Sequence, residues 1–260
     1  MSHVDELFGL SGKVAAVIGG SGVLGGSMAE ALGKAGASVA IVYNNNKEAA
    51  EKRARKIDDS GSKSFAVQAD STKSSQLEEA LKQIVSRWGR IDVLVNAPGV
   101  NSPTPIFDIK EEEWQRIIDT NLKGVFLACR VFAKYMIDNK TTGSIINISS
   151  ASSELPLSRV FTYSVSKAGV NNMTRFLARE WAPFGVRVNA VVPGFFPAEQ
   201  NRRILTEERK KSIFAHTPMA RFGEPDELAG AVIWLASANA SSFVTGAMIT
   251  VDGGFTAMTI

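Results

Sequence analysis

The sequence predicts an α/β fold: a single doubly wound domain in which a seven-stranded parallel sheet is flanked by helices. Three observations support this. Short β-branched runs alternate with longer segments of helical period through the 260 residues. Two of these runs, Val14–Ile18 and Ile91–Asn96, are largely apolar, which is typical of strands that helices cover on both faces. A glycine-rich sequence follows the first run where a helix is expected to begin.

The elements follow one another in regular alternation, which favours right-handed crossovers between parallel strands. No linker or internal repeat divides the chain, so we expect one domain over residues 1–260, interrupted only by a substrate lid at about 194–223. The seven predicted strands are Val14–Ile18, Ser38–Tyr43, Ser64–Gln68, Ile91–Asn96, Ser144–Ser149, Val186–Val192 and Met248–Val251. The helical patterns lie near 24–35, 46–59, 73–88, 110–138, 163–182 and 225–237.

Composition argues against several classes of function. The 29 Lys and Arg residues leave a net charge of only +3 and form no basic stripe, so no nucleic-acid partner is expected. The single cysteine, Cys129, excludes an intramolecular disulfide and cysteine-pair zinc sites, and no metal site is predicted. No apolar run approaches the roughly 20 residues that span a bilayer, and no signal-peptide pattern is seen. We expect a cytoplasmic protein without a membrane partner.

A G-x-G-x-x-G sequence lies between the first strand and the following helix, at residues 20–25. Glycines allow a tight turn and let the backbone approach a pyrophosphate, which the N–H groups of the helix N-terminus can bind. This context predicts a Rossmann-type dinucleotide site, with a purely structural turn as the alternative. The residues expected to contact the cofactor here are Gly19, Ser21, Gly22, Val23 and Leu24.

The end of the second strand bears on the choice of cofactor. An acidic residue that binds the adenosine ribose would be expected about 20 residues after the glycine loop. This chain has Asn44, Asn45, Asn46 and Lys47 there instead. A carboxylate would repel a 2′-phosphate, whereas amides and a lysine tolerate or attract it. The sequence therefore favours NADP(H) over NAD(H).

A phenol and an ammonium group, Tyr163 and Lys167, lie four residues apart on a predicted helix and so share one face. A phenol has a pKa near 10, and a neighbouring cation is expected to favour its anion. Tyr163 is thus a candidate acid/base, although a chance surface pair would look the same. Ser150 follows a strand whose carboxyl end is a typical ligand site and can hold a substrate oxygen. Ser149 competes with it, because strand alternation points only one of them inward.

Together these motifs resemble the short-chain dehydrogenase/reductase family over essentially the whole chain. The matching pieces are the glycine loop, Asn96–Gly99, Thr120 with Asn121, Ser150, Tyr163 with Lys167, Pro193 with Gly194, and Val251–Gly254. Three departures are Val23 in place of a glycine, Pro98 inside the Asn96–Gly99 turn, and Phe195–Ala198 where the family often has a threonine near the nicotinamide.

The resemblance implies hydride transfer between a nicotinamide cofactor and a carbonyl or alcohol carbon. It implies a Ser–Tyr–Lys centre completed by Asn121, which would support a water-mediated proton relay to the lysine. Lys167 would also bind the nicotinamide ribose, Asp70 the adenine, and Asn96 the adenosine side of the cleft. The further cofactor contacts are Ser71, Ala97, Pro98, Pro193, Gly194 and Phe196, besides Tyr163. A homotetramer or homodimer is also implied, with helices 110–138 and 163–182 at one interface.

The substrate is expected to be a small carbonyl or alcohol compound. Residues 193–202, 216–219 and 22–26 resemble the D-mannonate oxidoreductase branch of the family, which interconverts D-mannonate and D-fructuronate. Arg159 and Arg202 are candidates for binding the carboxylate, beside Ser150 and Tyr163. Arg202 on the exposed side of a lid helix is the alternative interpretation. Another sugar or polyol ketone and a 3-oxoacyl thioester remain alternative substrates. A non-catalytic cofactor-binding scaffold is disfavoured, because the whole Ser–Tyr–Lys set is retained.

Overall fold

The computed structural model describes residues 2–197 and 206–258. Seven strands form one sheet in which every pairing is parallel, in the order β3-β2-β1-β4-β5-β6-β7. This confirms the predicted fold class. The strands are β1 Val14–Ile18, β2 Ser38–Tyr43, β3 Ser64–Gln68, β4 Val93–Asn96, β5 Gly143–Ile148, β6 Val186–Pro193 and β7 Met248–Val251.

Ten α-helices flank the sheet within the described ranges. They are α1 His3–Phe8, α2 Val23–Lys34, α3 Lys47–Asp59, α4 Ser74–Trp88, α5 Glu111–Ile118, α6 Gly124–Asp138, α7 Phe161–Trp181, α8 Glu207–Ala215, α9 Ala229–Ala236 and α10 Ala238–Ser241. None of the helices in this part of the chain combines the length and the apolar character needed to cross a bilayer.

The central strands are buried along their whole length because helices pack on both faces. In β1, Ala16 belongs to a hydrophobic cluster with side chains of α4, α6 and α7. Its neighbours Ala15 and Val17 face the opposite cluster, which contains side chains of α2, α3 and α9. Side chains such as Phe132 are fully buried, and each such burial contributes roughly 1.5–3 kcal/mol of transfer free energy. The two clusters hold the ends of β1, β4, β5 and β6 in fixed register.

The helices differ from the predicted ones in three places. The pattern at 110–138 is interrupted by a π-helical turn, Asp119–Lys123, that separates α5 from α6. The pattern at 225–237 begins as a 3₁₀ turn over Pro225–Leu228 and becomes α-helical only at α9. Short helices α1 and α10 were not predicted, and α8 lies inside the segment expected to be a lid.

The sheet order places a crevice beside β1. The chain leaves β1 towards β2 on one side, and β4 occupies the other side, so the crossovers before and after this point run in opposite directions. Ligands in open parallel sheets bind outside the carboxyl ends of strands at such a reversal. The segments after β1, β4, β5 and β6 therefore meet at one edge.

Candidate active site

The loop between β1 and α2 is compact because glycine occupies its contact points. Gly19 has φ +76°, and an added Cβ would lie 2.8 Å from the carbonyl oxygen of Ala97. A Cβ on Gly25 would overlap the carbonyl oxygen of Gly19. Gly22 is the N-cap residue of α2, and no side chain in the described ranges caps that helix. The loop thus offers backbone N–H groups at a helix N-terminus, the arrangement that binds phosphate.

The loop after β4 closes over Gly19 and begins with a buried amide. Asn96 Nδ2 donates hydrogen bonds to Asn147 Oδ1 (2.9 Å) and Cys129 Sγ (3.2 Å). Asn96 is fully buried, and its side chain lies inside the sheet. Burial raises the pKa of Cys129 to about 12, which keeps this thiol protonated.

Side chains after β3 are held by local hydrogen bonds. Asp70 Oδ1 accepts from the backbone N–H of Thr72 (2.9 Å) and from its hydroxyl (2.8 Å). Ser71 is buried and packs against Gly124, the first residue of α6. Both residues lie near the end of β3, and Asp70 is only half-buried.

The residues after β2 are exposed polar groups. The Asn46 side chain caps α3 by accepting from the N–H of Ala49 (3.0 Å). The Lys47 ammonium lies 3.6 Å from the Glu51 carboxylate one turn along α3. Asn44 and Asn45 are exposed, and residues 44–47 carry no carboxylate. The region has the amide and ammonium groups that the sequence placed there, open to an approaching ligand.

Tyr163 and Lys167 lie one turn apart on α7, with the ammonium nitrogen 5.6 Å from the centre of the phenol ring. Lys167 is buried, and its Nζ donates to the carbonyl oxygens of Ile148 (2.7 Å) and Pro98 (3.4 Å). These bonds fasten α7 to β5 and to the loop after β4. Burial lowers the pKa of Lys167 to about 8.

The pKa of Tyr163 shifts in the direction opposite to the one we expected. We expected the lysine charge to lower the pKa of Tyr163, but burial raises it and only the Ser150 hydroxyl opposes the rise. Tyr163 is half-buried, and the protein groups packed around its phenol favour the neutral form by desolvation.

Ser150, rather than Ser149, interacts with the tyrosine. The Ser149 hydroxyl is buried and donates to the backbone carbonyl of Lys167 (3.4 Å). Ser150 follows it, caps a 3₁₀ turn over Ala151–Ser153, and interacts with Tyr163 through its side chain. Both serines follow the end of β5, and their hydroxyls have different partners.

Asn121 sits in the π-helical turn and is fully buried. Its side-chain amide makes two hydrogen bonds to the Val100 backbone: Oδ1 accepts from the N–H (2.8 Å), and Nδ2 donates to the carbonyl (2.9 Å). Nδ2 also donates to Ser166 Oγ (3.1 Å), which in turn donates to the carbonyl of Tyr163 (2.6 Å). Sequence analysis missed Ser166, although its place inside the Tyr163–Lys167 spacing was a usable signal. Asn121 is thereby joined to the helix that carries the tyrosine and the lysine.

The segment after β6 begins with a close contact and a buried ring. Gly194 approaches Asp252 so closely that an added Cβ would lie 2.7 Å from its Cα. The preceding residue, Pro193, is buried at the end of β6. Phe196 is buried in the hydrophobic core beneath Gly223, so its side chain packs the segment, and a cofactor contact could come only from its backbone.

Two arginines, Arg159 and Arg202, were expected to bind the substrate. Arg159 is exposed and adopts a left-handed backbone conformation, φ +64°, in the loop before α7. Arg202 lies outside the described residues. Arg209 of α8 was not singled out from the sequence; its guanidinium donates to the carbonyl of Ser158 (3.2 Å). Helix α8 therefore rests on the loop that carries Arg159.

Potential metal ligands are dispersed. Across residues 2–197 and 206–258, histidine, cysteine and acidic side chains do not gather in groups of three or more.

Comparison with known proteins gives a consistent picture. The family model described as enoyl-(acyl carrier protein) reductase, of the short-chain dehydrogenase type, matches residues 21–256. The uncharacterized oxidoreductase UxuB of Bacillus subtilis is 39% identical over 95% of this chain and 96% of its own.

Two solved structures share the fold over nearly their whole length. The gluconate 5-dehydrogenase of Burkholderia cenocepacia, in complex with NADP and tartrate, has a TM-score of 0.93 at 34% identity, covering 99% of this chain and 100% of that one. A protein described as a D-mannonate oxidoreductase of Haemophilus influenza, with bound NAD, has a TM-score of 0.91 at 33% identity, covering 99% of both chains.

Proposed function

Because the chain belongs to the short-chain dehydrogenase/reductase family, we propose that it interconverts a secondary alcohol and a ketone with Tyr163 as acid/base. The observation that supports this most is the convergence of Ser150, Tyr163 and Lys167 beside the glycine loop. A hydroxyl, a phenol and an ammonium group at one sheet edge can hold an oxygen atom and move its proton.

A nicotinamide dinucleotide fits the residues at this edge. Gly19 and Gly25 keep the loop free of side chains where a pyrophosphate would approach, and the N-terminus of α2 points its N–H groups there. When bound, such a cofactor supplies or accepts hydride. The residues proposed to hold it are Gly19, Ser21, Gly22, Val23, Leu24, Asn44, Asn45, Asn46, Lys47, Asp70, Ser71, Ala97, Pro98, Pro193, Gly194, Tyr163 and Lys167, with Asn96 and Phe196 through their backbones.

The proton chemistry follows from the two perturbed groups. With its pKa raised by burial, Tyr163 is a neutral phenol at neutral pH and is ready to donate a proton to a carbonyl oxygen. In the opposite direction its anion must remove a proton from an alcohol, and the charge of Lys167 then stabilises that anion. Ser150 donates a hydrogen bond to the substrate oxygen. Asn121 fixes the Val100 backbone at this site and supports proton relay towards Lys167.

NADP(H) is the proposed cofactor, in preference to NAD(H). Exposed amides and the Lys47 ammonium follow β2, and residues 44–47 present no carboxylate to repel a 2′-phosphate. The two structural relatives hold different cofactors, NADP in one and NAD in the other, so the proposal rests on this chain's own residues.

The proposed substrate is a sugar acid such as D-mannonate or D-fructuronate. Relatives whose names specify a gluconate dehydrogenase and a D-mannonate oxidoreductase support this class. Arg159 and Arg202 would bind the carboxylate. Another sugar or polyol ketone is the alternative, and a 3-oxoacyl thioester is a further one, supported by a relative named 3-oxoacyl-[acyl-carrier-protein] reductase that is 37% identical over 94% of this chain.

Turnover of a panel of sugar acids, polyols and 3-oxoacyl thioesters, followed by NADPH and NADH absorbance, tests the proposal. We expect sugar acids to give the highest kcat/KM and Arg159→Ala to raise KM for them without raising it for neutral polyols. Equal KM values in wild type and Arg159→Ala would rule out the carboxylate role. A non-catalytic scaffold would bind the dinucleotide and turn over none of the compounds.

Assembly as a homotetramer or homodimer is proposed from one exposed face. Apolar side chains of α6 and α7 lie on the surface: Phe126, Phe161, Val165 and Phe176 are 38–57% exposed. Phe161, Val165 and Phe176 recur at spacings that place them on one side of α7, and exposed apolar patches are found at protein interfaces. Light scattering that finds a monomer at micromolar concentration would contradict it. The buried free thiol of Cys129 is compatible with a reducing compartment, and the cytoplasm is the proposed location.

A further inference from the structure

The turn after β5 uses both acceptor positions of the Ser150 hydroxyl. Ser150 Oγ accepts a hydrogen bond from the backbone N–H of Ser152 (3.2 Å) and another from the Ser152 hydroxyl (3.1 Å). A serine hydroxyl has two lone pairs and one proton. With both lone pairs engaged, the remaining capacity of Ser150 is to donate.

The same turn is anchored to α7. Ser153 Oγ donates to the carbonyl of Ser150 (2.6 Å), and Asn171 Nδ2 donates to Ser153 Oγ (2.8 Å). Asn171 lies eight residues after Tyr163 and four after Lys167, on the same side of the helix. One helix therefore carries the phenol, the ammonium group and the amide that fixes the turn of Ser150.

Burial keeps the hydrogen bonds of this turn in one arrangement. Ser152 and Asn171 are each at most 5% exposed, so water has little access to replace their hydrogen bonds. A hydroxyl in such surroundings keeps the orientation that its neighbours impose, because an unpaired buried donor or acceptor costs about 1–3 kcal/mol. The orientation of Ser150 is thus decided by residues that need not touch the substrate.

We propose that Ser152 is a positioning residue that makes Ser150 an obligatory hydrogen-bond donor, whose single proton goes to Tyr163 in the free protein and to the substrate oxygen once substrate is bound. This inference rests on the proposed function of the site. A donor stabilises the phenolate and the developing alkoxide, whereas an acceptor would stabilise the neutral phenol. Without the Ser152 hydroxyl, one lone pair of Ser150 becomes free to accept from the phenol, which stabilises the neutral phenol relative to its anion.

The charged groups around the phenol stay constant when Ser152 is changed. Lys167 shares α7 with Tyr163. The loop before α7 carries the exposed side chains of Glu154 and Arg159, and Arg209 of α8 is bonded to that loop. A shift in the titration of Tyr163 on altering Ser152 therefore reports the hydrogen bond rather than a changed charge.

The test compares Ser152→Ala, which removes the donor, with Ser152→Thr, which keeps a hydroxyl. The chain has three tyrosines, so subtracting the near-ultraviolet pH titration of Tyr163→Phe isolates the ionisation of Tyr163. We expect Ser152→Ala to raise the pKa of Tyr163 by about 0.5–1 unit, the size of one hydrogen bond. The pH midpoint of kcat/KM for alcohol oxidation should rise equally. Ser152→Thr should restore both.

Ser144→Ala is the matched control. It removes a buried serine hydroxyl that donates one hydrogen bond, to the Leu235 carbonyl (2.7 Å), near the opposite end of β5. It should leave both pH midpoints unchanged. An unchanged or lowered Tyr163 midpoint in folded Ser152→Ala, with wild type active and Tyr163→Phe inactive, overturns the role of Ser152 alone. Full activity in Tyr163→Phe would instead overturn the proposed function, whatever the Ser152 variants do.

Discussion

Two regions meet at the carboxyl edge of the sheet and are built on opposite principles. The conformation of the loop after β1 depends on the absence of side chains, because a Cβ on Gly19 or Gly25 would clash with neighbouring backbone atoms. The turn and helix after β5 are shaped by polar side chains, with Lys167 bonded to the Ile148 carbonyl and Ser150 held by Ser152. Added atoms should therefore damage the first region, whereas deleted atoms should damage the second.

The largest effect is expected from deleting one oxygen in the turn and helix region. Tyr163→Phe removes the acid/base and should lower kcat by about 10³-fold, within the range of general acid–base catalysis. The dinucleotide Kd, measured by fluorescence of NADPH, should change far less than kcat, because the glycine loop is untouched and Tyr163 is one of many proposed cofactor contacts. A variant that loses cofactor affinity together with kcat would show that the two regions are not separable in this way.

The next effect comes from adding one methyl group to the glycine loop. Gly19→Ala combines a left-handed backbone, φ +76°, with a contact of 2.8 Å to the Ala97 oxygen. Relief of that contact requires the loop to move, so the dinucleotide Kd should rise about 10–100-fold, corresponding to the 1–3 kcal/mol typical of such strain. At saturating cofactor, kcat should be nearly unchanged.

Gly89→Ala separates the effect of the left-handed backbone from the effect of the contact with Ala97. Gly89 has the same φ, +76°, but an added Cβ meets nothing within 4 Å, and it lies at the end of α4. In urea unfolding both variants should lose the stability that a left-handed alanine costs, and Gly19→Ala should lose more because of its contact with Ala97, while only Gly19→Ala loses cofactor affinity. Equal Kd values for the two variants would mean that the close approach of Ala97 does not shape the site.

Lys167→Met tests whether the buried lysine lowers the stability of the protein while it is required for activity. The pKa of Lys167 is lowered from 10.5 to about 8, so between these pH values the unfolded chain binds the proton and the folded protein releases it. The free energy of unfolding therefore rises with pH in this window, and below about 8 the full penalty of burying the charge is present. Lys167→Met should be inactive yet more stable at pH 7 by about 1–2 kcal/mol, since the lost hydrogen bonds offset part of a shift worth about 3 kcal/mol.

Urea unfolding of wild type and Lys167→Met at several pH values checks the sign. The advantage of Lys167→Met should shrink as pH rises from about 8 to 10.5, where wild type no longer carries a buried charge. Tyr163, whose pKa is raised, affects both proteins in the same direction. An advantage that is constant with pH would assign it to packing rather than to charge.

Sequence reasoning succeeded where a signal is local and repeated. Four of the strands, β1, β2, β3 and β7, begin and end where predicted, because short β-branched runs alternate visibly with segments of helical period. The spacing of Tyr163 and Lys167 likewise needs only one helical turn. The π-helical turn at Asp119–Lys123 was missed, since its cause is tertiary: Asn121 is held by Val100 and Ser166.

The electrostatic direction at Tyr163 was wrong for a related reason. Spacing indicates that a cation is near, but the pKa of Tyr163 also depends on desolvation, and here desolvation outweighs the Ser150 hydrogen bond that lowers it. The partners of Ser150 were equally invisible, because Asn171 reaches Ser153 only after α7 has packed on the turn. Tertiary packing decides which donor meets which acceptor, and the spacing of residues in the sequence does not reveal it.

The smallest effect tests whether the exposed residues after β2 belong functionally to the glycine loop. Lys47→Ala should raise KM for NADPH about three- to fivefold and leave KM for NADH unchanged, because an exposed charge contact is worth about 1 kcal/mol or less. The effect should fade as salt is added. Glu51→Gln is the complementary variant: it releases Lys47 from a carboxylate 3.6 Å away and should lower KM for NADPH slightly. Equal changes for both cofactors in Lys47→Ala would detach this lysine from 2′-phosphate recognition and leave the amides of Asn44 and Asn45 as the remaining source of preference.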